Sequence, residues 1–557
     1  LSIDREIIFL QYKVSRRKDE AKVNSRTIPT STAGKTKIID QPAWVLWDSA
    51  VNSPFQELKL TMDLNNLKLP ATFIYLLYLL LPVNLLSAQT SWSQALTGIG
   101  TLSSPRVADL NGDGTGDIIM GAGRLEFQTC DSAVIALDGK TGQMLWHVPA
   151  RDQIFGSAAF RDINGDGTED VIIGGRSAEL IAINGRSGEV IWRFSRETKK
   201  IDGSNTKWYN FYNPQFIPDQ NQDGQEDILV SNGGNVLAEP HDTTERPAGY
   251  LLVLDGRSGQ LLGQAEMPDR KEIYMSVTVS PTPDGKDYEI LFGTGGETVG
   301  GHLYLGYLSQ VMKGDLSEAV LLDSSPHKGY VGPGVRVDIT GDGIPDIACG
   351  SVDGRLLTFD GKDLHRLWEV TLPNAESYTS LAVGLFTADS IPDFFLSWAQ
   401  GSWPDLDWNV QKMINGKTGL VEFSDSLGHY QISSPIVIDF DGDGRQEVLM
   451  SLNFQQVDEL YRKFFYTTMI IIDFSQGKPL QIGAVYEGSN FASTPWAGDL
   501  DGDGFLDIIY CHSTNARHTY TFDGFQIHRI PSRKPVGKGI RWGAYQGSGY
   551  DGIFRKH

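Results

Sequence analysis

The chain has 557 residues, of which 40% are hydrophobic and 10% aromatic, enough to bury a large core and too many for a disordered polymer. Lys+Arg 48 against Asp+Glu 69 leaves a formal charge of −21, which excludes a nucleic-acid groove because such a groove needs a basic face. Three cysteines, Cys130, Cys349 and Cys511, lie far apart with no CxxC pair, so neither a zinc ribbon nor a disulfide scaffold is expected.

Residues 1–61 carry no repeat and no clear period, and are expected to lie upstream of the mature protein. From Met62 the text reads as a secretory signal (62–88): a polar stretch with Lys68, an apolar run from Leu69 to Leu86, then Leu86-Ser87-Ala88 before Gln89. Pro70, Pro82 and Asn84 interrupt the run, which makes it marginal as a membrane span. Cleavage after Ala88 is expected, with an uncleaved anchor as the alternative. The mature chain, 89–557, is then a single domain working outside the cytoplasm, in the periplasm, in secreted form or at the cell surface. No stable membrane span is expected after cleavage.

Downstream, a nine-residue pattern recurs, Asp-x-[Asp/Asn]-x-Asp-Gly-x-x-[Asp/Glu], each time followed by apolar residues. It reads DLNGDGTGD, with Asp109, Asn111, Asp113, Thr115 and Asp117 at its odd positions. It returns as DINGDGTED (Asp162, Asn164, Asp166, Thr168, Asp170) and DQNQDGQED (Asp219, Asn221, Asp223, Gln225, Asp227). After a wide gap it appears as DITGDGIPD (Asp338, Thr340, Asp342, Ile344, Asp346). Another gap leads to DFDGDGRQE (Asp439, Asp441, Asp443, Arg445, Glu447) and DLDGDGFLD (Asp499, Asp501, Asp503, Phe505, Asp507). The spacing predicts a worn copy in each gap, and both are present, SPTPDGKDYEILFG from Ser280 and GLFTADSIPDFFL from Gly384. Eight copies at a period of about 50–60 residues predict a repeat architecture.

Each copy has one grammar. A short strand precedes the acidic loop and a second follows it. A third ends in a turn such as ALDGKTG, AINGRSG or VLDGRSG, and a fourth often carries Trp, as in MLWHV and VIWRF. Four antiparallel strands per unit in a closed ring define an all-β propeller, here of eight blades, with seven as the alternative. Trp146, Trp192 and Trp368 are expected to pack between neighbouring blades. The closing segment RWGAYQGSGYDG, from Arg541, is expected to help close the ring with Trp92–Gly100.

The acidic loop suits calcium, which takes about six to eight hard oxygen ligands. Acids at positions 1, 3 and 5 curl onto one point, and Gly at position 6 permits the turn. Position 7 varies freely (Thr115, Thr168, Gln225, Ile344, Arg445, Phe505), as a ligand acting through its carbonyl should. Up to six Ca²⁺ are expected, and their +12 would take the formal charge from −21 to about −9. The two worn copies lack acids at the right spacing and are expected to bind no metal.

These loops, with strands ending in glycine such as IIMGAG and VIIGG, resemble FG-GAP repeats of the integrin α-subunit propeller type over roughly residues 100–530. The resemblance implies a propeller with calcium between the first and second strands of a blade. The turns ALDGKTGQMLWHV, AINGRSGEVIWRF and TFDGKDLHRLWEV resemble the tryptophan-docking blades of quinoproteins. A quinone-dependent dehydrogenase is therefore an alternative, although the vicinal Cys-Cys pair common in quinoprotein alcohol dehydrogenases is absent.

With calcium in the first-to-second-strand loops, the second-to-third-strand loops fall on the opposite face, and those are the long ones. They bring His241 and Arg246, the trio Trp398, Trp403 and Trp408, and, from an inter-blade segment, Trp208 and Tyr209 to a possible ligand face. The expected role is recognition of a glycan or protein without catalysis. The rival is a lyase acting on uronate-containing polysaccharides, as in calcium-bearing propellers that cleave rhamnogalacturonan. Lys207, His241, Lys328 or His429 would then supply the base.

Overall fold

Apolar residues follow the last acid of each loop without a break, as in Asp117–Gly121 and Asp170–Gly174, and every residue of both strands is buried. Such a strand has apolar neighbours on both faces, which is the environment of a middle strand wedged between two other sheets. The outermost strands alternate instead, half-buried and exposed in turn, as Trp92–Thr97 does. A computed structural model shows this pattern resolved into eight sheets set around one axis. It describes residues 91–556 apart from 177–178, 196–197, 200–204, 207–209, 237, 241, 243, 245, 404, 518–521 and 538. The upstream segment and the signal read from the sequence lie outside the described residues.

Blade 1 comprises Arg106–Ala108, Asp117–Gly121, Cys130–Leu137 and Met144–Ala150, each strand pairing antiparallel with the next. Blades 2 to 7 repeat the order, starting at Ala159, Gln215, Thr278, Val335, Ala382 and Ile436. Blade 8 takes Trp496–Gly498, Phe505–Ser513 and Gly524–Pro535 from late in the chain and its fourth strand, Trp92–Thr97, from early in it. Trp92 pairs with Arg529 and Thr97 with Gly524, and this exchange closes the ring. Blades 3, 6 and 7 each gain a short extra strand. The three cysteines are free and buried. No helix among the described residues is long and apolar enough to cross a membrane.

Four of the eight blade junctions are locked by one repeated contact. The indole of the fourth-strand Trp donates to a glycine carbonyl in the turn of the next blade: Trp146 to Gly185 at 2.7 Å, Trp192 to Gly256 at 3.0 Å, Trp368 to Gly416 at 2.9 Å. Trp92 does the same to Gly139 at 2.9 Å, across the seam. The ring face lies against a second glycine of that turn with positive φ, for example Gly259 at +70°, where a Cβ would come within 2.7 Å of Trp192. The fourth strands of blades 4, 6 and 7 carry no such Trp, and neither does that of blade 3. There the short helix Leu308–Lys313, inserted in blade 4, covers the strand Leu261–Glu266, and Met312 lies over Gly263.

Two residues before each inner strand stands a small polar side chain that binds the adjacent blade. The amide of Thr494 donates to Ser104 Oγ, Ser104 to Ser157, Ser157 to Asn213 Oδ1, Asn213 to Ser276, Ser380 to Ser434 and Ser434 to Thr494, at 2.8–3.3 Å. Blade 5 has Pro333 at this position, which offers neither an amide hydrogen nor a hydroxyl, so the girdle is open there.

The segment after blade 8 does not help the first strand to close the ring, contrary to expectation. It turns inward and fills the axis at the end where the inner strands enter their acidic loops. Ala497 donates to Gly543, Val437 to Trp542, and Arg336 to Gly552, while Phe554 donates back to Arg336. Tyr550 lies under the Arg106 guanidinium at 4.5 Å, and its hydroxyl accepts from the Val107 amide and the Trp496 indole. Strand pairing alone closes the sheet, which left this glycine-rich segment free to act as a plug.

Candidate functional site

The six acidic loops all lie at the plugged end. In the first, Asp109 accepts the amides of Gly112, Asp113 and Gly114, and Asp113 accepts that of Thr115. Gly114 has a φ of +84°, which lets the chain reverse under these carboxylates. Asp117, at position 9, is fully buried: one oxygen takes the amides of Leu110 and Asn111 and the other takes Gly139 in the third-to-fourth-strand turn. Asp170, Asp346 and Asp393 repeat that bracing, with Gly185, Gly361 and Gly416. Asp393 belongs to a worn copy. The invariant acid at position 9 therefore ties the loop to the sheet even where positions 1 and 3 are apolar or uncharged.

Burial pushes the Asp117, Asp170 and Asp393 carboxyls up to about 6 against the pull of these amides. Glu447 is pushed up to about 8, chiefly by burial and further by the Asp441 and Asp439 carboxylates beside it. Carboxylate oxygens of Asp439, Asp441 and Glu447 come within 4.8 Å of one another, and so do those of Asp499, Asp501 and Asp507. The first three loops place Asn at position 3; Asn111 and Asn164 turn the amide nitrogen to the position-9 acid, and Asn221 turns it to Asp255. The donor set of the Asp439 loop, three convergent carboxylates with no ion pair among the described residues, fits a hard divalent cation best. The other convergent trio, Asp360, Asp363 and His365, sits on a turn where Asp363 and His365 pair with each other.

The opposite face carries the inter-blade segments and the second-to-third-strand loops. A collar of aromatic rings stands around the axis there: Phe155 against Tyr212, Tyr212 against Tyr274, Tyr378 against Tyr430, and Tyr430 against Phe491, with centroids 5.5–6.4 Å apart. Charged groups crowd the same rim. Arg176 bonds Glu126 at 2.7 Å, Arg246 pairs with the buried Glu272, and Lys328 bonds Glu376 at 2.5 Å. Burial pushes the Glu297 carboxyl up to about 7, with the Glu376 carboxylate adding and Lys328 opposing.

Farther from the axis, a cavity of about 650 Å³ opens between the long hairpin of blade 7 (Glu447–Val457 and Lys463–Asp473) and the second-to-third-strand loop of blade 8. Phe464 and Tyr466 line it together with Asp458, Glu487, Asn515, Arg517 and Asp523. The Arg517 guanidinium lies 5.1 Å from the centre of the Phe464 ring, and Tyr466 stacks on Phe454 at 5.6 Å.

Among the residues singled out from the sequence, Arg246 reaches the charged rim and Trp403 joins the apolar patch around Tyr378 and Phe491. Trp408 is 47% exposed on the strand Asp405–Ile414. Trp398 is corrected: it is fully buried in the core of blade 6, because the stretch read as a loop is a hairpin whose strands continue through it. Trp208, Tyr209 and His241 lie outside the described residues, as does Lys207. His429 packs on Phe465, and burial lowers its pKa. The cavity beside blade 7 was missed; the signal available was the unusual length of that hairpin with Phe464 and Tyr466 near its tip.

These features define an eight-bladed β-propeller with acidic loops on one face and an aromatic, ionised rim on the other. Residues 124–315 match the family described as FAM234A/B beta-propeller, which covers less than half of the chain. No curated protein matches the sequence. Among solved structures, a quinohemoprotein alcohol dehydrogenase from Comamonas testosteroni is similar at 10% identity and TM-score 0.48, covering 80% of this chain and 77% of that one. A europium-containing methanol dehydrogenase is similar at 11% identity and TM-score 0.49, covering 79% and 92%. BamB from Moraxella catarrhalis is similar at 14% identity and TM-score 0.41, covering 79% and 99%. At such low identity the chain's own residues decide its function.

Proposed function

We propose that this protein is an exported recognition propeller, braced by calcium in FG-GAP-type loops, that binds a glycan on the face opposite those loops. The observation that carries the reading is the cavity walled by Phe464 and Tyr466. Its size suits a small-ligand site, and it pairs aromatic surface with carboxylates, an amide and a guanidinium. A sugar ring offers an apolar C–H face and a belt of hydroxyls, which match that pairing. Calcium would serve as scaffold, holding the loop ends while the ligand face is presented from the other side. When bound in the Asp439 loop it would neutralise Asp439, Asp441 and Glu447.

A glycan array followed by calorimetry on the purified chain tests this. Binding that falls at least ten-fold in Tyr466→Ala, with an unchanged fold, supports it; a folded chain that retains no glycan sinks it. Calcium titration after chelation should raise the melting temperature, and a chain that takes up no calcium removes the brace from the proposal.

Cleavage of uronate-containing glycans is a second reading, favoured by one observation: Lys328, Glu376, Tyr378 and the near-neutral Glu297 meet at the rim of the axis. Unsaturated products appearing with the wild type and lost in Lys328→Ala would promote it.

A further inference from the structure

Two of the acidic loops gather three carboxylates each, and they differ in what balances the charge. Around Asp439, Asp441 and Glu447 no basic side chain forms an ion pair among the described residues. Around Asp499, Asp501 and Asp507 the place is taken. Arg529, on the third strand of blade 8, sends its side chain beneath the loop, where it is 1% exposed. Its Nε donates to Asp507 Oδ1 at 2.9 Å, and its Nη2 donates to Asp507 Oδ2 at 3.2 Å and to Asp501 Oδ2 at 2.5 Å. The remaining Nη1 donates to the Gly139 carbonyl of blade 1 at 3.3 Å.

A guanidinium offers a planar fork of donors that matches carboxylate oxygens two at a time, and it keeps its charge at every accessible pH. The fork holds both oxygens of Asp507 and Oδ2 of Asp501, which leaves Asp501 Oδ1 as the one buried oxygen of the two carboxylates without a hydrogen-bond partner among the described residues. A metal entering the loop would stand beside a fixed positive charge that has no route to solvent. The Asp499 loop therefore does not fit the ion that its sequence suggests.

We propose that Arg529 is the built-in counter-cation of the Asp499 loop, so that this loop takes no calcium and the seam of the ring holds without metal. The Gly139 carbonyl that Arg529 reaches is the one that accepts the Trp92 indole, which joins the loop of blade 8, the first strand and the turn of blade 1 in one network. Five loops at most are then open to calcium. The comparison with the Asp439 loop rests on the calcium reading above; the role of Arg529 does not.

Ions bound per chain, counted by native mass spectrometry of the full chain titrated with Ca²⁺, test this. Asp501→Asn should leave the count unchanged, Asp441→Asn should lower it by one, and Arg529→Gln should raise it by one. Loss of one ion in Asp501→Asn overturns the proposal, and so does an unchanged count in a folded Arg529→Gln chain. If the wild type binds no calcium but Arg529→Gln binds one ion, the calcium reading of the other loops fails and the role of Arg529 stands. Should Arg529→Gln not fold, hydrogen exchange in the wild type decides. Chelation should quicken exchange across residues 439–447 and leave 499–507 unchanged, and quickened exchange in the second stretch counts against the proposal.

Discussion

His512 and His528 face each other in blade 8 with Nε2 atoms 3.1 Å apart and rings within 9° of parallel. One must donate and the other accept, so the two rings cannot both be protonated while this bond holds. Tyr486 and Tyr510 cover it, and His528 also bonds Ser93 Oγ on the first strand at 2.7 Å. Burial first, and the neighbouring His512 second, lower the His528 pKa to about 4.

The sign of the linkage follows. The unfolded chain takes up the proton first, at the ordinary imidazole pKa, so stability is full above about 6.5 and is lost as the pH falls towards about 4. The loss reaches about 2–3 kcal/mol. Chemical denaturation between pH 7 and pH 4.5 should show it, and His528→Gln should flatten that part of the profile. An unchanged slope in the variant would place the acid sensitivity elsewhere.

Trp192 against Gly259 is the second case. Removing the indole in Trp192→Ala deletes a buried ring and one hydrogen bond, for an expected cost of about 3–5 kcal/mol. Gly259→Ala should also destabilise, by about 1–3 kcal/mol, since the position combines positive φ with a close approach to the ring. Denaturant midpoints measure both. A neutral Gly259→Ala would show that the turn relaxes away from the indole.

Asp393 separates bracing from metal binding. Its carboxylate takes three backbone amides in a loop with no acids at positions 1 and 3, so Asp393→Ala should cost about 2–4 kcal/mol. The cost should be the same with calcium and with chelator. A penalty that appears only with calcium would mean that the worn loop binds metal after all.

Tyr550→Phe should cost about 1–3 kcal/mol, because the Val107 amide and the Trp496 indole lose their shared acceptor inside the axis. Removing the chain from Ile540 onward should lower the melting temperature far more and leave Arg106 without the ring that covers it. A truncated chain that melts like the wild type would mean that the plug adds nothing to the ring.

The strand grammar and the eight-fold count were legible because each blade repeats one sentence, with apolar runs of the length a buried strand needs. The docking tryptophans were legible for the same reason, since Trp and the turn glycines recur at fixed spacing. Trp398 was misplaced because only pairing with Val410 shows that its strand continues. Arg529 could not be foreseen: it is 22 residues from Asp507, and a single arginine in an unremarkable strand becomes a counter-ion only through the register of the sheet. The position-9 acid is legible as the last member of every full copy of the pattern, while its contact with a glycine in a distant turn belongs to tertiary structure.

The pairing of Ser93 with His528 spans 435 residues. While that stretch is being synthesised, Trp92–Thr97 has no partner and remains an open strand edge, of the kind that recruits other chains. The strand meets this with Ser93, Gln94 and Thr97 among its six residues, and the first seven blades can each fold on their own local pairings while it waits. Ring closure is thus the pairing that must wait longest, and pairing between chains, which grows with concentration, competes with it. Swapping of first strands between two chains is the error this topology invites.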